Sequence, residues 1–313
     1  MRAFVLVLAV LSVVPTLHGT LRAAGDPPAV QDFSSDPFLS QGSGAAMEVR
    51  GDAAAYLYEP DSPSRFPGDP RGSLRVEIDS LAATSRAFER LARPLEPGDD
   101  FVLGAILTVR PGMEADPFGF HPIAVSLFNT TTTGDDRTGD LDDFRADSFD
   151  TLEMAYFPNV SPFFGGPYLS ATAFGAPAGD DAFLDFAFTS VPAALQPGTT
   201  YLVQLQHTAS ARTFVLQLWR TGADGRFIEL SPARVVCDLS SLEGFLLDAV
   251  GIPTYHDGFN VFATSGRSLR ATVDYDLLFA ARLEDGKLPP QLASVLGRLR
   301  FAKKRLIAPS PLP

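Results

Sequence analysis

Tyr201-Leu202-Val203-Gln204-Leu205-Gln206-His207, then Thr208–Arg212, then Thr213-Phe214-Val215-Leu216-Gln217-Leu218-Trp219-Arg220 is the stretch that decides the fold. In its second half Phe214, Leu216 and Leu218 alternate with Val215, Gln217 and Trp219. A period of two sends alternate side chains to opposite faces of a strand. Two such runs joined by a short polar connection read as an antiparallel hairpin with one buried face.

The same alternation extends outward in both directions. Leu74, Val76 and Ile78 share a face, and in Ala182–Phe188 so do Leu184, Phe186 and Phe188, opposite Phe183, Asp185 and Ala187. Further strands are expected at Ala53–Tyr58, Ala87–Arg90, Phe101–Val109, Ile123–Phe128, Phe149–Phe157, Tyr168–Ala173, Phe227–Leu230, Phe259–Ala263 and Leu269–Leu278. Between them lie Pro97-Gly98-Asp99-Asp100, Pro111-Gly112, Gly134-Asp135-Asp136, Pro197-Gly198 and Asp224-Gly225, which are turn formers at antiparallel spacing. Many short strands with few helical patterns predict an all-β protein: two packed antiparallel sheets, a sandwich or jelly roll, as one domain over residues 26–286.

Composition supports this reading. The 313 residues include 26 Gly and 26 Pro, which favours turns over long helices, and 45% apolar residues, ample for a core. The net charge of −12 is unevenly spread. Residues 26–286 hold all 37 acidic side chains and 17 arginines, whereas residues 287–313 hold three lysines, three arginines and no acid. An acidic body repels phosphate backbones, and no nucleic-acid-binding motif is present, so nucleic acid is not an expected partner.

At the start, Arg2 precedes a short apolar run to Val14, then Pro15 and small residues, the layout of a signal peptide over residues 1–25 cleaved after Gly25 or Gly19. The run is too short to span a bilayer, which takes about 20 residues, and no later segment qualifies, so a secreted or periplasmic chain is expected. Cys237 is the only cysteine, so the core must supply the stability. In the 287–313 tail, Leu292, Val295, Leu296, Leu299 and Leu306 recur at helical spacing, predicting a short basic helix with a Pro-rich end.

Four stretches give the chain a family likeness: Asp32–Phe38, Phe149-Asp150-Thr151-Leu152-Glu153, the Tyr201–Arg220 hairpin, and Ala271-Thr272-Val273-Asp274-Tyr275-Asp276-Leu277-Leu278. In pattern and order they resemble the concanavalin A-like lectin/glucanase superfamily, and they span most of the mature chain. The resemblance implies a jelly roll and sugar binding or cleavage. Glycosidases of that superfamily carry Glu-x-Asp-x-(x)-Glu on one strand, and Asp150 would match the assisting Asp and Glu153 the acid/base, with Ser148 in place of the nucleophile. Residues three apart on a regular strand face opposite ways, so the pair needs a bulge to act together.

Two other groupings bear on chemistry. Asp135, Asp136, Asp140 and Asp142 crowd one inter-strand segment, and Ca²⁺ takes six to eight oxygen ligands of this kind. Trp219, the only tryptophan, shares a hairpin face with Gln217, and Gln204 and Gln206 lie together on the neighbouring strand, an aromatic platform beside amides that suits a sugar. No zinc-ligand pair, esterase elbow or phosphate-binding loop occurs. The expectation is a secreted, non-catalytic lectin-like domain that binds a polysaccharide or cell-surface glycan. The alternatives are a divergent laminarinase-like glycoside hydrolase or lyase using Asp150 and Glu153, and a structural, self-associating surface protein with Phe163-Phe164-Gly165-Gly166-Pro167 as an apolar contact.

Overall fold

The structure, a computed structural model, describes residues 26–39, 46–66, 69, 72–119, 121–130, 151–158, 166–174, 186–230, 234–240, 242, 244–256 and 264–302. Along the chain the first strands are β1 (Ala29–Gln31), β2 (Glu48–Arg50), β3 (Tyr56–Glu59), β4 (Ser73–Asp79), β5 (Ser85–Leu95), β6 (Phe101–Val109), β7 (Glu114–Ala115) and β8 (Ile123–Phe128). There follow β9 (Thr151–Phe157), β10 (Tyr168–Phe174), β11 (Phe186–Pro192), β12 (Thr200–Thr208), β13 (Thr213–Thr221) and β14 (Phe227–Glu229). Last come β15 (Val235–Asp238), β16 (Leu247–Thr254), β17 (Leu269–Arg282) and the helix α1 (Pro290–Leu296).

Among the described residues the strands form two sheets. A ten-stranded sheet runs β14-β13-β12-β6-β17-β4-β3 with β1, β7 and β15 attached, and a seven-stranded sheet runs β11-β10-β9-β8-β16-β5-β2. Neighbouring strands within both sheets pair antiparallel, and the hairpin read from the sequence is present with Gln204 opposite Gln217 and Leu205 opposite Leu216. The two sheets bury one face of each against the other. Leu74, Val76, Leu103, Leu107, Phe214, Leu216 and Val273 from the larger sheet meet Val125, Leu127, Leu152, Met154, Leu169 and Ile252 from the smaller. Each such side chain contributes about 1.5–3 kcal/mol on leaving water. Hydroxyls tie the layers as well: Tyr56 donates to the Ile252 carbonyl at 2.9 Å. Cys237 is buried in this core, and burial pushes its thiol up to about 11, an unreactive state.

The strand limits depart from the sequence expectation where local hydrogen bonds compete. Ala53–Ala55 form a short 3₁₀ turn instead of extending, because Asp52 accepts from the Ala54 N–H and caps it. β5 runs on to Leu95, and β11 occupies Phe186–Pro192; residues 182–185, 149–150 and 259–263 of the expected strands lie outside the described residues.

After residue 286 the chain stays on the body. α1 and the segment behind it bury Leu292, Leu296 and Leu299 on the outer face of the ten-stranded sheet, against Val102, Ile106, Leu202, Trp219 and Phe279. Arg300 accepts from the Phe227 N–H and Ala302 donates to the Phe227 carbonyl, adding a strand-like contact at β14. Gly104 makes room for this layer: a Cβ there would sit 2.2 Å from the Phe279 ring. Lys303, Lys304 and the remaining tail lie outside the described residues, among which no helix is long and apolar enough to cross a membrane.

Candidate functional site

Each sheet has an outer face, and the hairpin residues singled out from the sequence sit on that of the larger sheet. Trp219, Gln217, Gln204 and Gln206 do come together there. The expected aromatic platform, however, is closed over. Trp219 is only 7% exposed, and Phe301 meets its ring edge-on at 6.3 Å. Gln204 is buried with its Oε1 lacking a hydrogen-bond partner among the described residues, and Gln217 donates to Glu229 at 3.0 Å. The reason is the apolar centre of this face, which requires a cover that α1 provides.

Elsewhere on that face the charged groups close on one another. Asp274 accepts from Arg65 and from Arg110, each at 2.6 Å, and Asp276 accepts from Arg65. Burial pushes the Asp276 carboxyl up to about 8 despite Arg65, with Asp69 and Asp274 adding to the rise. These pairs hold β17 to the Arg65 loop, with Asp276 Oδ2 and Asp69 Oδ1 left without a hydrogen-bond partner among the described residues.

The outer face of the seven-stranded sheet is different. Leu152 and Met154 of β9 point into the core, so Glu153 points outward. Register then fixes a row across six strands: Phe88, Gly251, Ser126, Glu153, Thr172 and Phe188. Glu153 is 5% exposed and accepts from Ser126 at 2.7 Å and from the Tyr255 hydroxyl. Phe188, by contrast, is 46% exposed on the edge strand β11. Next to it, Tyr168 stacks on Phe157 with centroids 4.7 Å apart and meets Phe188 edge-on at 6.5 Å. The flanking rows carry Arg90, Ala249, Phe128, Thr151 and Phe174 on one side and Ala124, Ala155, Ser170 and Ser190 on the other. None of these is a second carboxylate. A small polar knot closes one end, where Asp248 accepts from the Thr130 N–H at 2.6 Å and from its hydroxyl at 3.0 Å.

Of the residues expected to act with Glu153, Asp150 lies outside the described residues, as do Asp135, Asp136, Asp140 and Asp142. Among the described residues no group of three or more His, Cys, Asp or Glu is placed to hold a metal ion. Sequence reasoning passed over Phe188, Thr172 and Ser126. Their shared parity was readable from the alternation, but which strands lie side by side was not.

No family model and no curated protein matches the sequence. Solved structures do. The carbohydrate recognition domain of Emp47p matches at a TM-score of 0.42 and 8% identity, over 83% of this chain and 98% of that one. Lectin I-B4 from Griffonia simplicifolia, in its metal-free form, matches at 0.42 and 11% identity, over 79% and 98%. The exoplasmic/lumenal domain of VIP36, in its Ca²⁺-bound form, matches at 0.43 and 9% identity, over 82% and 93%. The two antiparallel sheets with one short helix are the sandwich expected from the sequence.

Proposed function

We propose that the chain is a lectin-like, non-catalytic carbohydrate-binding domain that works outside the cytoplasm, with its ligand lying across the outer face of the seven-stranded sheet. The observation that carries this reading is Phe188, an exposed ring in the same row as Thr172 and Glu153 and two strands from the carboxylate. Two interstrand spacings amount to about 10 Å. Sugars present an apolar C–H face that stacks on a ring and hydroxyls that need polar partners. The exposed Ser190 supplies one two residues along the same edge strand, while Thr172, Ser126 and Glu153 behind it are buried. Among the described residues the other carboxylate in this row, Glu48, stands four strands from Glu153, about 19 Å, which favours binding over cleavage, since retaining hydrolysis takes two carboxyl groups about 5–5.5 Å apart.

An extracytoplasmic location is supported by the signal-like residues 1–25 and by Asp26, which Arg282 holds to the body directly after Gly25. Asp135, Asp136, Asp140 and Asp142 remain the proposed Ca²⁺ ligands, because the sequence between β8 and β9 concentrates hard oxygen donors. Titration of the mature protein over a panel of neutral and charged polysaccharides tests the reading. Retention on at least one, lost with Phe188→Ala at unchanged melting temperature, is the expected result; no retention on any, or release of reducing ends, overturns it.

A further inference from the structure

Residues 26–286 hold 37 acidic side chains against 17 arginines, yet after Asp285 no acid occurs while three lysines and three arginines follow. The covering segment carries this acid-free stretch to the edge of the ten-stranded sheet, where Phe301 forms a parallel bridge with Phe227 of β14. Phe227 and Phe301 both join the covered apolar cluster, with ring centroids 5.8 Å apart. Alternation therefore sends Arg226 and Arg300, the residues before them, to the other face. β13 adds Arg220 to that side, because it stands opposite Ile228, which has the parity of Arg226.

All four side chains are exposed, Ile228 by 39%. Arg226 has an exposed partner in Asp224 at 3.4 Å, a pair that contributes little in water. Arg220 and Arg300 form no ion pair among the described residues. In the sequence, Lys303, Lys304 and Arg305 follow directly after Ala302, and Leu306 and Ile307 come next.

We infer that this edge is a peripheral docking surface for a lipid bilayer with anionic headgroups, held by Arg220, Arg226, Arg300 and the basic run behind them. Headgroup phosphates offer guanidiniums two parallel hydrogen bonds, and each cation close to an anionic bilayer tightens binding about fivefold. The apolar residues decide the source of the phosphate. Ile228 among the arginines and Leu306-Ile307 after the basic run gain nothing from a soluble polyanion, whereas at a bilayer they enter the headgroup boundary beside the cations. The acidic remainder of the body is repelled by the same surface, so the charge distribution also sets the orientation of approach. The glycan face proposed above belongs to the other sheet, so the two surfaces are distinct.

Co-sedimentation of the mature protein with vesicles of phosphatidylcholine alone, and of phosphatidylcholine mixed with phosphatidylglycerol, tests this at low and high salt, with retention on dextran sulfate measured in parallel. The protein should pellet with the anionic vesicles only and be released as salt rises. Arg220→Gln with Arg300→Gln should weaken that binding at least about tenfold at unchanged melting temperature, since both side chains are exposed. Lys303→Gln with Lys304→Gln and Arg305→Gln should weaken it on the order of a hundredfold. Ile228→Ser should weaken vesicle binding severalfold while leaving its salt dependence unchanged, an effect that charge alone does not give. Absence of pelleting with the anionic vesicles, or equal pelleting with the neutral ones, overturns the inference. Retention on dextran sulfate with Ile228→Ser indistinguishable from the parent on both polymer and vesicles also overturns it, assigning the edge to soluble polyanions instead.

Discussion

The outer faces of the two sheets are built from the same alternating strands yet reach opposite ends. On the ten-stranded sheet the outward residues of β6, β12 and β17 are Val102, Ile106, Leu202, Leu277 and Phe279, and a protein cannot leave such a stripe in water, so the chain returns to cover it with Leu292, Leu296 and Leu299. On the seven-stranded sheet the outward residues mix Ser126, Glu153, Thr172 and Ser170 with Ala124, Ala155, Ala249 and Phe128, all of them buried. Exposure returns towards the edges, at Phe188 and Arg90, and the described chain lays no helix over this face. The contrast shows that position on an outer face does not define a binding surface. What separates the two is the make-up of the face: one carries an apolar stripe under α1, the other a mixed row of polar and small residues with an exposed ring at its edge.

Removing the cover is the strongest way to break this comparison. Truncation after Gly286 strips the cluster of Leu292, Leu296, Leu299 and Phe301, side chains worth about 1.5–3 kcal/mol each when buried, a total on the order of the stability of a whole domain. A large fall in melting temperature, increased dye binding and red-shifted Trp219 emission are expected. Unchanged melting would mean that the helix merely rests on the sheet. Trp219→Ala should cost about 3–5 kcal/mol by cavity formation, read in denaturant unfolding, while polysaccharide affinity per folded molecule stays the same. Arg65→Ala should cost less, about 1–3 kcal/mol, because Asp276 loses its arginine in a buried site while Asp274 keeps Arg110 and Arg75.

A smaller effect concerns pH. The Asp276 carboxyl sits at about 8 in the folded chain against an ordinary 3.8, so the stability its protonated form brings is fully present below pH 3.8 and is lost as pH rises towards 8. Melting temperature should fall across that window, and Asp276→Asn should flatten the fall. Burial acts against them, but hydrogen bonds hold the carboxyls of Asp79 and Asp116 below their ordinary value, so their contribution is lost only at lower pH. Smallest of all is Phe188→Ala, at an exposed edge position, with an expected stability change within about 0.5 kcal/mol and loss of polysaccharide binding.

Much of the architecture was legible because it is local. The alternation in Tyr201–Arg220 named the hairpin and its buried face, and the apolar run Phe101–Leu107, expected only as part of a strand, has the pattern of one buried on both sides, as β6 is. That second signal already implied a cover over the Trp219 face. It went unused there, since nothing near the hairpin announces that residues 290–301 return to it. The site was less readable for the same reason. Arg86, Phe88 and Arg90 share a face by parity alone, but their meeting with Arg50 and Phe128 depends on the pairing of β5 with β2 and β16, strands far apart in sequence. Phe188 looks like core in an alternating run, and only the edge position of β11 exposes it.

Hydrogen exchange of the mature protein with and without a bound polysaccharide addresses the central claim directly. The account predicts added protection at the ends and flanks of β8, β9, β10, β11 and β5, on the seven-stranded sheet, and none over Tyr201–Thr221 or residues 288–302. Protection confined to the Trp219 hairpin and the segment that covers it would contradict it.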